Sequence, residues 1–425
     1  MQIGFADHYL SKYRCNYFIE PAMYLPFDMV IVIPCYDEPE IGKTIQSLFQ
    51  CKLDAIRIAI VVVINSTVVT PLEIKNQNRK TATELDALKN GCKKGMQLVV
   101  IHVEDLPAKQ GGVGWARKIG MDWAIAQFNH FGFSNGIIVS LDADTLVEPN
   151  YLNSIYSYFK QNPEKVGATI YFEHPITVDD KRDNKTDQAI VYYELYMRYF
   201  RNSLLATGFP SSIYTVGSCF AVKASAYIAQ GGMNRRKAGE DFYFLHKLVI
   251  FGEIGEINST TVYPSPRKSN RVPFGTGTVI QKYCEGDRSL ELTYPFSSFL
   301  TLKPFFAAAP YFYDLGNKLS TEDLSSEKEF RAFADENNIT KGIQELVANC
   351  SSLSVFTRRF YHFFNAFMVL KWLNYSAINC SPREALLDEC RKLLIYNRDN
   401  NNNIPNDTKL MLNLFRQIDK DRTNH

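Results

Sequence analysis

A chain of 425 residues can hold one large domain with a smaller one, or two to three of ordinary size. Its hydrophobic share of 46% and charged share of 22% are those of a soluble globular protein with a sizeable core. A net charge of +2 supplies no basic footprint, so no nucleic-acid partner is expected.

Aromatic residues make up 13% of the chain, which suits both cores and sugar-stacking platforms and does not decide between them. Nine cysteines without Cys-x-x-Cys spacing imply reduced thiols and a cytoplasmic setting. Met1 to His8 lacks the charged and apolar regions of a signal peptide. No run reaches the roughly 18 apolar residues of a spanning helix. The nearest, Phe360 to Leu373, is broken by His362, Asn365 and Lys371. The expectation is a cytoplasmic protein whose membrane contact, if it has one, is peripheral at the inner face.

In chain order, Met29 to Ile33 reads as a first buried strand, ended by Pro34-Cys35-Tyr36-Asp37-Glu38-Pro39. Ile41, Ile45, Leu48 and Phe49 recur at helical spacing. Ile56 to Ile64 is the second strand, and Thr70 to Gly95 is a polar surface excursion with a helix in it. Gln97 to Val103 is the third strand, ending at Glu104-Asp105. Lys109-Gln110-Gly111-Gly112-Val113-Gly114-Trp115-Ala116-Arg117 leads into a helix bearing Ile119, Trp123, Ile125 and Phe128.

Gly136-Ile137-Ile138-Val139-Ser140-Leu141-Asp142-Ala143-Asp144 reads as a strand buried on both faces that ends in two carboxylates at i, i+2. Tyr151 to Phe159 is helical and Val166 to Phe172 is a strand. Strands alternating with helices at this spacing predict an α/β fold, with a mostly parallel sheet covered by helices on both faces.

Thr186 to Leu205 predicts a long tyrosine-rich helix, and Thr215 to Val222 a short strand. Gly231-Gly232 turns the chain before Gly239-Glu240-Asp241-Phe242, which opens a helix carrying Phe244, Leu245 and Leu248. Ile254 to Val262 is a closing strand or hairpin, followed by a Pro-, Gly- and Arg-rich loop to Gly277. Beyond about Glu285 the pattern is helical. Ser381-Pro382-Arg383-Glu384 has the form of a helix start, with Leu386, Leu387, Cys390, Leu393 and Leu394 on one face. The expected division is a sheet domain over residues 1–285 and a mainly helical extension over 286–425. Its aromatic stretches, Phe296 to Phe312 and Phe360 to Leu373, suit packing on the first domain, a homodimer face or lipid contact. Packing is favoured, because a strong basic face is lacking.

Two carboxylates at the end of a central strand lie in the crevice where open α/β sheets bind ligands. Mn²⁺ and Mg²⁺ take one or two such carboxylates together with phosphate oxygens, so Asp142 and Asp144 are the candidate metal ligands. Transfer of a sugar from a nucleotide diphosphate would use such a cation to neutralise the leaving diphosphate. It also needs a grip on the nucleoside, for which Asp37, Glu38 and Asp105 stand at strand ends of the same edge. Singly, each of these acids is more often a loop residue that caps a helix or faces water. Lys109 and Arg117, among glycines before a helix, suit phosphate. Gly112-x-Gly114 is not a dinucleotide fingerprint, because Arg117 stands at the third glycine position and the stretch follows the third strand. Glu240 and Asp241 could deprotonate an acceptor hydroxyl, although acids at a helix N-terminus are also favoured by its dipole alone.

The chain resembles the family 2 glycosyltransferases of the GT-A fold over roughly Phe27 to Gly277. The marks are Pro34-x-Tyr36-Asp37-Glu38 after a strand, Gly112-x-Gly114-x-Ala116-Arg117, Asp142-Ala143-Asp144, Gly217-Ser218-x-Phe220-Ala221 before a Gly-Gly turn, and Glu240-Asp241. Each is short; together, in the family's order, they are specific. The resemblance implies a nucleotide-sugar donor, a UDP-sugar on family odds, and a glycan or glycoconjugate acceptor in polysaccharide synthesis. It places Pro34, Tyr36, Asp37, Glu38 and Asp105 near the nucleoside, and Asp142, Ala143 and Asp144 at the ribose and the metal-bound diphosphate. By the same resemblance Gly217 and Ser218 would lie under the donor sugar. Asp241 becomes the base of an inverting transfer, with Glu240 beside it.

Many relatives add a late metal-binding His, but the comparable loop here carries Pro264, Ser265 and Arg267 instead. Arg267 and Arg271 then either reach the diphosphate as cations or remain solvated loop residues. His246, inside the helix after Asp241, is read as packed or exposed rather than metal-bound. Two other classes compete. A nucleotidyltransferase would carry a Gly-rich, Arg-containing phosphate loop directly after the first strand, which is missing. A non-catalytic sugar-binding relative would not need the acids, all of which are present.

Overall fold

Every residue of β1 (Met29–Cys35) and β2 (Ile58–Thr67) is buried, as runs rich in β-branched apolar side chains require. The computed structural model describes residues 4–14, 21, 24–176, 184–235, 239–249, 251–268, 275–397 and 404–422. β1 runs parallel to β2 and to β4 (Ile137–Ser140), and β2 runs parallel to β3 (Met96–Leu106). The remaining strands are β5 (Leu146–Val147), β6 (Gly167–Phe172), β7 (Phe220–Lys223) and β8 (Ile254–Tyr263). The sheet order is β3-β2-β1-β4-β7-β6-β8-β5. β7 is antiparallel to both neighbours, while β6 and β8 are parallel to each other.

This topology selects the residues that can meet. The carboxyl ends of β1, β2, β3 and β4 share one edge. Because β7 is reversed, its amino end joins them: Ser140 pairs with Phe220. The carboxyl end of β8 returns to the same side, since β6 opposes β7 and β8 follows β6. Residues 36–38, 104–106, 141–144, 217–219 and 264–267 are therefore brought to one rim by strand sense.

The helices are α1 (Asp7–Lys12), α2 (Ile41–Gln50), α3 (Leu72–Leu88), α4 (Val113–His130), α5 (Tyr151–Gln161), α6 (Asn184–Ala206), α7 (Ala224–Ala229) and α8 (Glu240–Leu248). α4 is buried from Gly114 to Phe128. A buried network anchors it: Lys118 Nζ donates to Asp122 at 2.8 and 3.0 Å, and the hydroxyls of Tyr9 and Tyr227 donate to Asp122 at 2.7 and 3.0 Å.

The chain divides into two compact units, Met1–Arg182 with Thr215–Gln281 and Ile418–His425, and Asp183–Tyr214 with Lys282–Gln417. The second unit is not a contiguous tail, because α6 belongs to it. The Tyr199 hydroxyl donates to the Tyr294 carbonyl at 2.8 Å, and buried Glu194 receives Arg416 at 2.7 and 2.8 Å. Within this unit Phe305 meets the rings of Phe306, Phe312, Phe330, Phe360 and Phe364 at 4.7–5.7 Å between centroids. The aromatic stretches thus spend many of their rings on a core of their own. The last residues return to the first unit, where Asn258 Nδ2 donates to the carbonyls of Asp419 and Arg422 at 3.0 Å.

Two sequence expectations are corrected. The segment 215–222 is strand from Phe220 onward; residues 217 and 218 form a turn at the rim. The helix expected from Ser381 starts at Leu386, because Glu384-Ala385 pairs as a short strand (β10) with Leu292-Thr293 (β9). Backbone groups spent on that ladder are lost to a first helical turn. Leu386, Cys390, Leu393 and Leu394 are buried as expected; Leu387 is half-buried. Among the described residues, no helix is long and apolar enough to cross a membrane.

Candidate active site

Parallel β1 and β4 deliver two acidic segments side by side. After β1, Asp37 takes a left-handed backbone (φ 51°), a region Asp tolerates better than most residues, and its N–H donates to Asn78 Oδ1 at 2.9 Å. The turn buries Glu38, which is 1% exposed. After β4, Ala143 points inward and its carbonyl accepts from Thr44 Oγ1 at 2.8 Å. The flanking Asp142 and Asp144 side chains are left 36% and 28% exposed. The i, i+2 spacing therefore puts both carboxylates on the open side.

Two arginines tie these acids to distant parts of the chain. Arg117, one turn into α4, is fully buried; its Nε donates to Ser140 Oγ at 3.0 Å, Nη2 to Asp142 and Nη1 to Glu240. Arg267, beyond β8, donates through Nη1 to Glu38 at 3.0 Å, and its Nη2 is shared between Glu38 and Asp144, the latter at 2.8 Å.

α8 begins after Gly239, whose φ of 70° suits a residue without Cβ. Glu240 is buried, and its carbonyl accepts from Asn234 Nδ2 at 2.7 Å. The half-buried Asp241 accepts the Phe242 N–H at 2.7 Å. Burial pushes the Asp241 carboxyl above the usual range; the Asp142 charge adds to this, while Arg117 and the Phe242 N–H oppose it. Five carboxylates and two guanidinium groups thus meet at the rim.

The model of glycosyltransferase-like family 2 matches residues 26–247, just over half of the chain. The chain belongs to this family. No curated protein matches it. Among solved structures it is similar to S. aureus TarS 1–349 in complex with UDP, at 10% identity and a TM-score of 0.39. It is similar also to the same protein in complex with UDP-GlcNAc, at 9% identity and a TM-score of 0.40. Both alignments cover 80% of this chain and 91% of TarS 1–349.

In this glycosyltransferase, one cluster joins Asp142 and Glu240 through Arg117, whose charge also reaches Asp241, and a second joins Glu38 and Asp144 through Arg267. Gly217 lies against the first: a Cβ there would stand 2.4 Å from Arg117 Nη2. Arg117 is held by three partners, so it has little room to yield. Gly217→Ala is expected to cost about 1–3 kcal/mol by overpacking and to lower turnover; thermal melts and initial rates check this. Ser218 is buried beside it, with its hydroxyl 3.4 Å from the Cys219 sulfur.

Other predicted residues stand apart from these clusters. Pro34 is buried within β1 opposite Val63, and Tyr36 follows half-buried. Asp105, next to last in β3, has a left-handed backbone (φ 58°), and its exposed carboxylate lies 2.6 Å from Lys75, whose hydrogen bond holds it below the usual range. Lys109 is exposed in a short 3₁₀ turn, Ala108–Gln110. Arg271 lies outside the described residues. His246 packs on the Phe242 ring at 4.4 Å, and burial pushes it down to about 4, so it is neutral at pH 7.

Sequence reasoning passed over Ser140, the one polar side chain in β4, and that oddity was its signal. Asn78 and Asn234 carried none. Among the described residues, no trio of His, Cys, Asp or Glu is placed to cage a metal ion. Mn²⁺ or Mg²⁺ does not need one: two partly exposed carboxylates plus phosphate oxygens and water satisfy either. The donor set of Asp142 and Asp144 fits.

Proposed function

We propose that this glycosyltransferase moves a sugar, with inversion, from a nucleotide-diphosphate donor to a hydroxyl of a glycan or glycoconjugate acceptor. The observation that carries the reading is the Arg117 bridge, which joins the carboxyl end of β4 to the start of α8, where Asp241 follows Glu240 and feels the charge of Asp142. A leaving-group site and a base are thereby supplied to one substrate.

Asp142 and Asp144 would hold Mn²⁺ or Mg²⁺, which supplies Lewis-acid stabilisation of the leaving diphosphate when bound. Asp241 takes the proton of the acceptor hydroxyl as that oxygen attacks the anomeric carbon and the bond to the diphosphate breaks. Burial suits it to that task by raising its basicity. Arg117 holds Glu240 in place beside it. Gly217 gives the donor sugar a floor without a side chain, and Ser218 continues it. Asp37, at the end of β1, and Asp105, at the end of β3, hydrogen-bond the nucleoside, for which uridine is the preferred base. Lys109 adds a cation on the approach to the phosphates.

Asp144→Ala is expected to abolish Mn²⁺-dependent donor hydrolysis and transfer. A thermal-shift panel of UDP-, GDP- and dTDP-sugars with Mn²⁺ identifies the donor, because a ligand at 100 times its Kd raises stability by about 2.7 kcal/mol. Pyrophosphate release from a nucleoside triphosphate and a sugar phosphate would overturn the reading in favour of a nucleotidyltransferase. Tight sugar binding without turnover would favour a binding protein.

A further inference from the structure

The two arginines at the rim differ in freedom. Arg117 sits under Gly217, 3% exposed, with all its bonding nitrogens committed to Ser140, Asp142 and Glu240. Arg267 hangs from a segment beyond the last long strand, with 29% of its side chain open to water. It bridges a carboxylate shut off from water, Glu38 at 1% exposure, to one that water reaches, Asp144 at 28%. Its Nε–H is buried and, among the described residues, meets no acceptor. A buried donor left without a partner is costly, and a guanidinium with an edge to spare is suited to a second, bidentate anion.

We infer that Arg267 is an exchangeable internal cation, which neutralises Asp144 and Glu38 while the donor is absent and gives up Asp144 to a divalent cation when the diphosphate arrives. The inference rests on the reading of Asp144 as a cation ligand. One carboxylate oxygen, Asp144 Oδ2, is spent on Arg267 at 2.8 Å, so a metal ion must compete with the guanidinium for it. The released Nη2–H and the unsatisfied Nε–H then face the diphosphate, while Nη1 keeps its bond to Glu38. Metal and donor would bind as a pair, each raising the affinity for the other by the same factor, as linkage demands. The free enzyme would be protected from taking up metal without substrate.

The test is Mn²⁺ alone, titrated into the full chain by electron paramagnetic resonance without nucleotide. Arg267→Ala is expected to tighten Mn²⁺ binding about tenfold, the weight of one hydrogen bond to a charged group. Because that variant takes a guanidinium away from the buried Glu38 carboxylate, the double variant E38Q/R267A is titrated beside it; the same tightening is expected. Asp144→Asn should remove the binding. Mn²⁺ affinity that is unchanged, weaker or absent in both Arg267 variants overturns the exchange even if Asp144 proves to be a ligand. Binding retained in full by Asp144→Asn overturns the metal assignment itself, and the exchange with it.

Discussion

Asp241→Asn is expected to lower turnover by about 10²–10⁴-fold while leaving donor affinity nearly intact. The substitution keeps the shape of the side chain, and the amide oxygen can still accept the Phe242 N–H. What it removes is the capacity to take a proton as the acceptor attacks. Calorimetric donor affinity and kcat therefore separate the roles: a collapse of donor binding would make Asp241 a binding residue and sink its assignment as base. The wild-type rate should fall as pH drops through the Asp241 pKa, at a pH above the ordinary carboxylate range because burial raises it. That limb should vanish in the variant.

The sign for stability is opposite. A carboxyl whose folded pKa is raised contributes stability that is fully present below its unfolded pKa and is lost as pH rises through the folded one. The ionised form of Asp241 is thus a burden on the fold. Asp241→Asn should therefore melt no lower than the wild type at pH 7, and a clear drop in Tm there would show that the charge is satisfied after all.

Arg117→Met should cost about 3–5 kcal/mol of folding stability, the usual penalty for leaving one member of a buried ion pair behind. The penalty comes from Glu240, 3% exposed and bonded to the guanidinium, together with the lost bond to Ser140. Asp142 adds little, because water already reaches it. The double variant R117M/E240Q removes the stranded charge and should regain much of the loss in urea unfolding. Turnover should not return with it, since Asp142 and α8 would no longer be tied together. A single-variant cost under about 1 kcal/mol would mean that water screens the cluster.

Much of the sheet was legible in the chain. Met29 to Ile33, Ile56 to Ile64 and the stretch from Gly136 to its two aspartates read as strands, the last of them buried on both faces; β1, β2 and β4 lie there, and every residue in them is buried. The strand read over 215–222 proved shorter because Gly217 and Ser218 serve a turn at the rim. The false helix start at Ser381 shows the limit of local signals. A serine, a proline and a glutamate in capping order were overridden by a backbone ladder to residues more than ninety positions earlier. The grouping of α6 with helices beyond Lys282 had no local signal either.

By itself the sequence determined the long strands and most of the helices of the sheet domain, and with the right-handed crossovers between parallel strands it determined which strand ends share a rim. That was enough to gather Asp37, Glu38, Asp142 and Asp144. Only the tertiary structure decided which cation holds which acid. Arg117 meets Glu240 across 123 positions, and Arg267 meets Glu38 across 229. Local spacing carries no information about such pairs, because their energies depend on distance through space and on the burial of both partners.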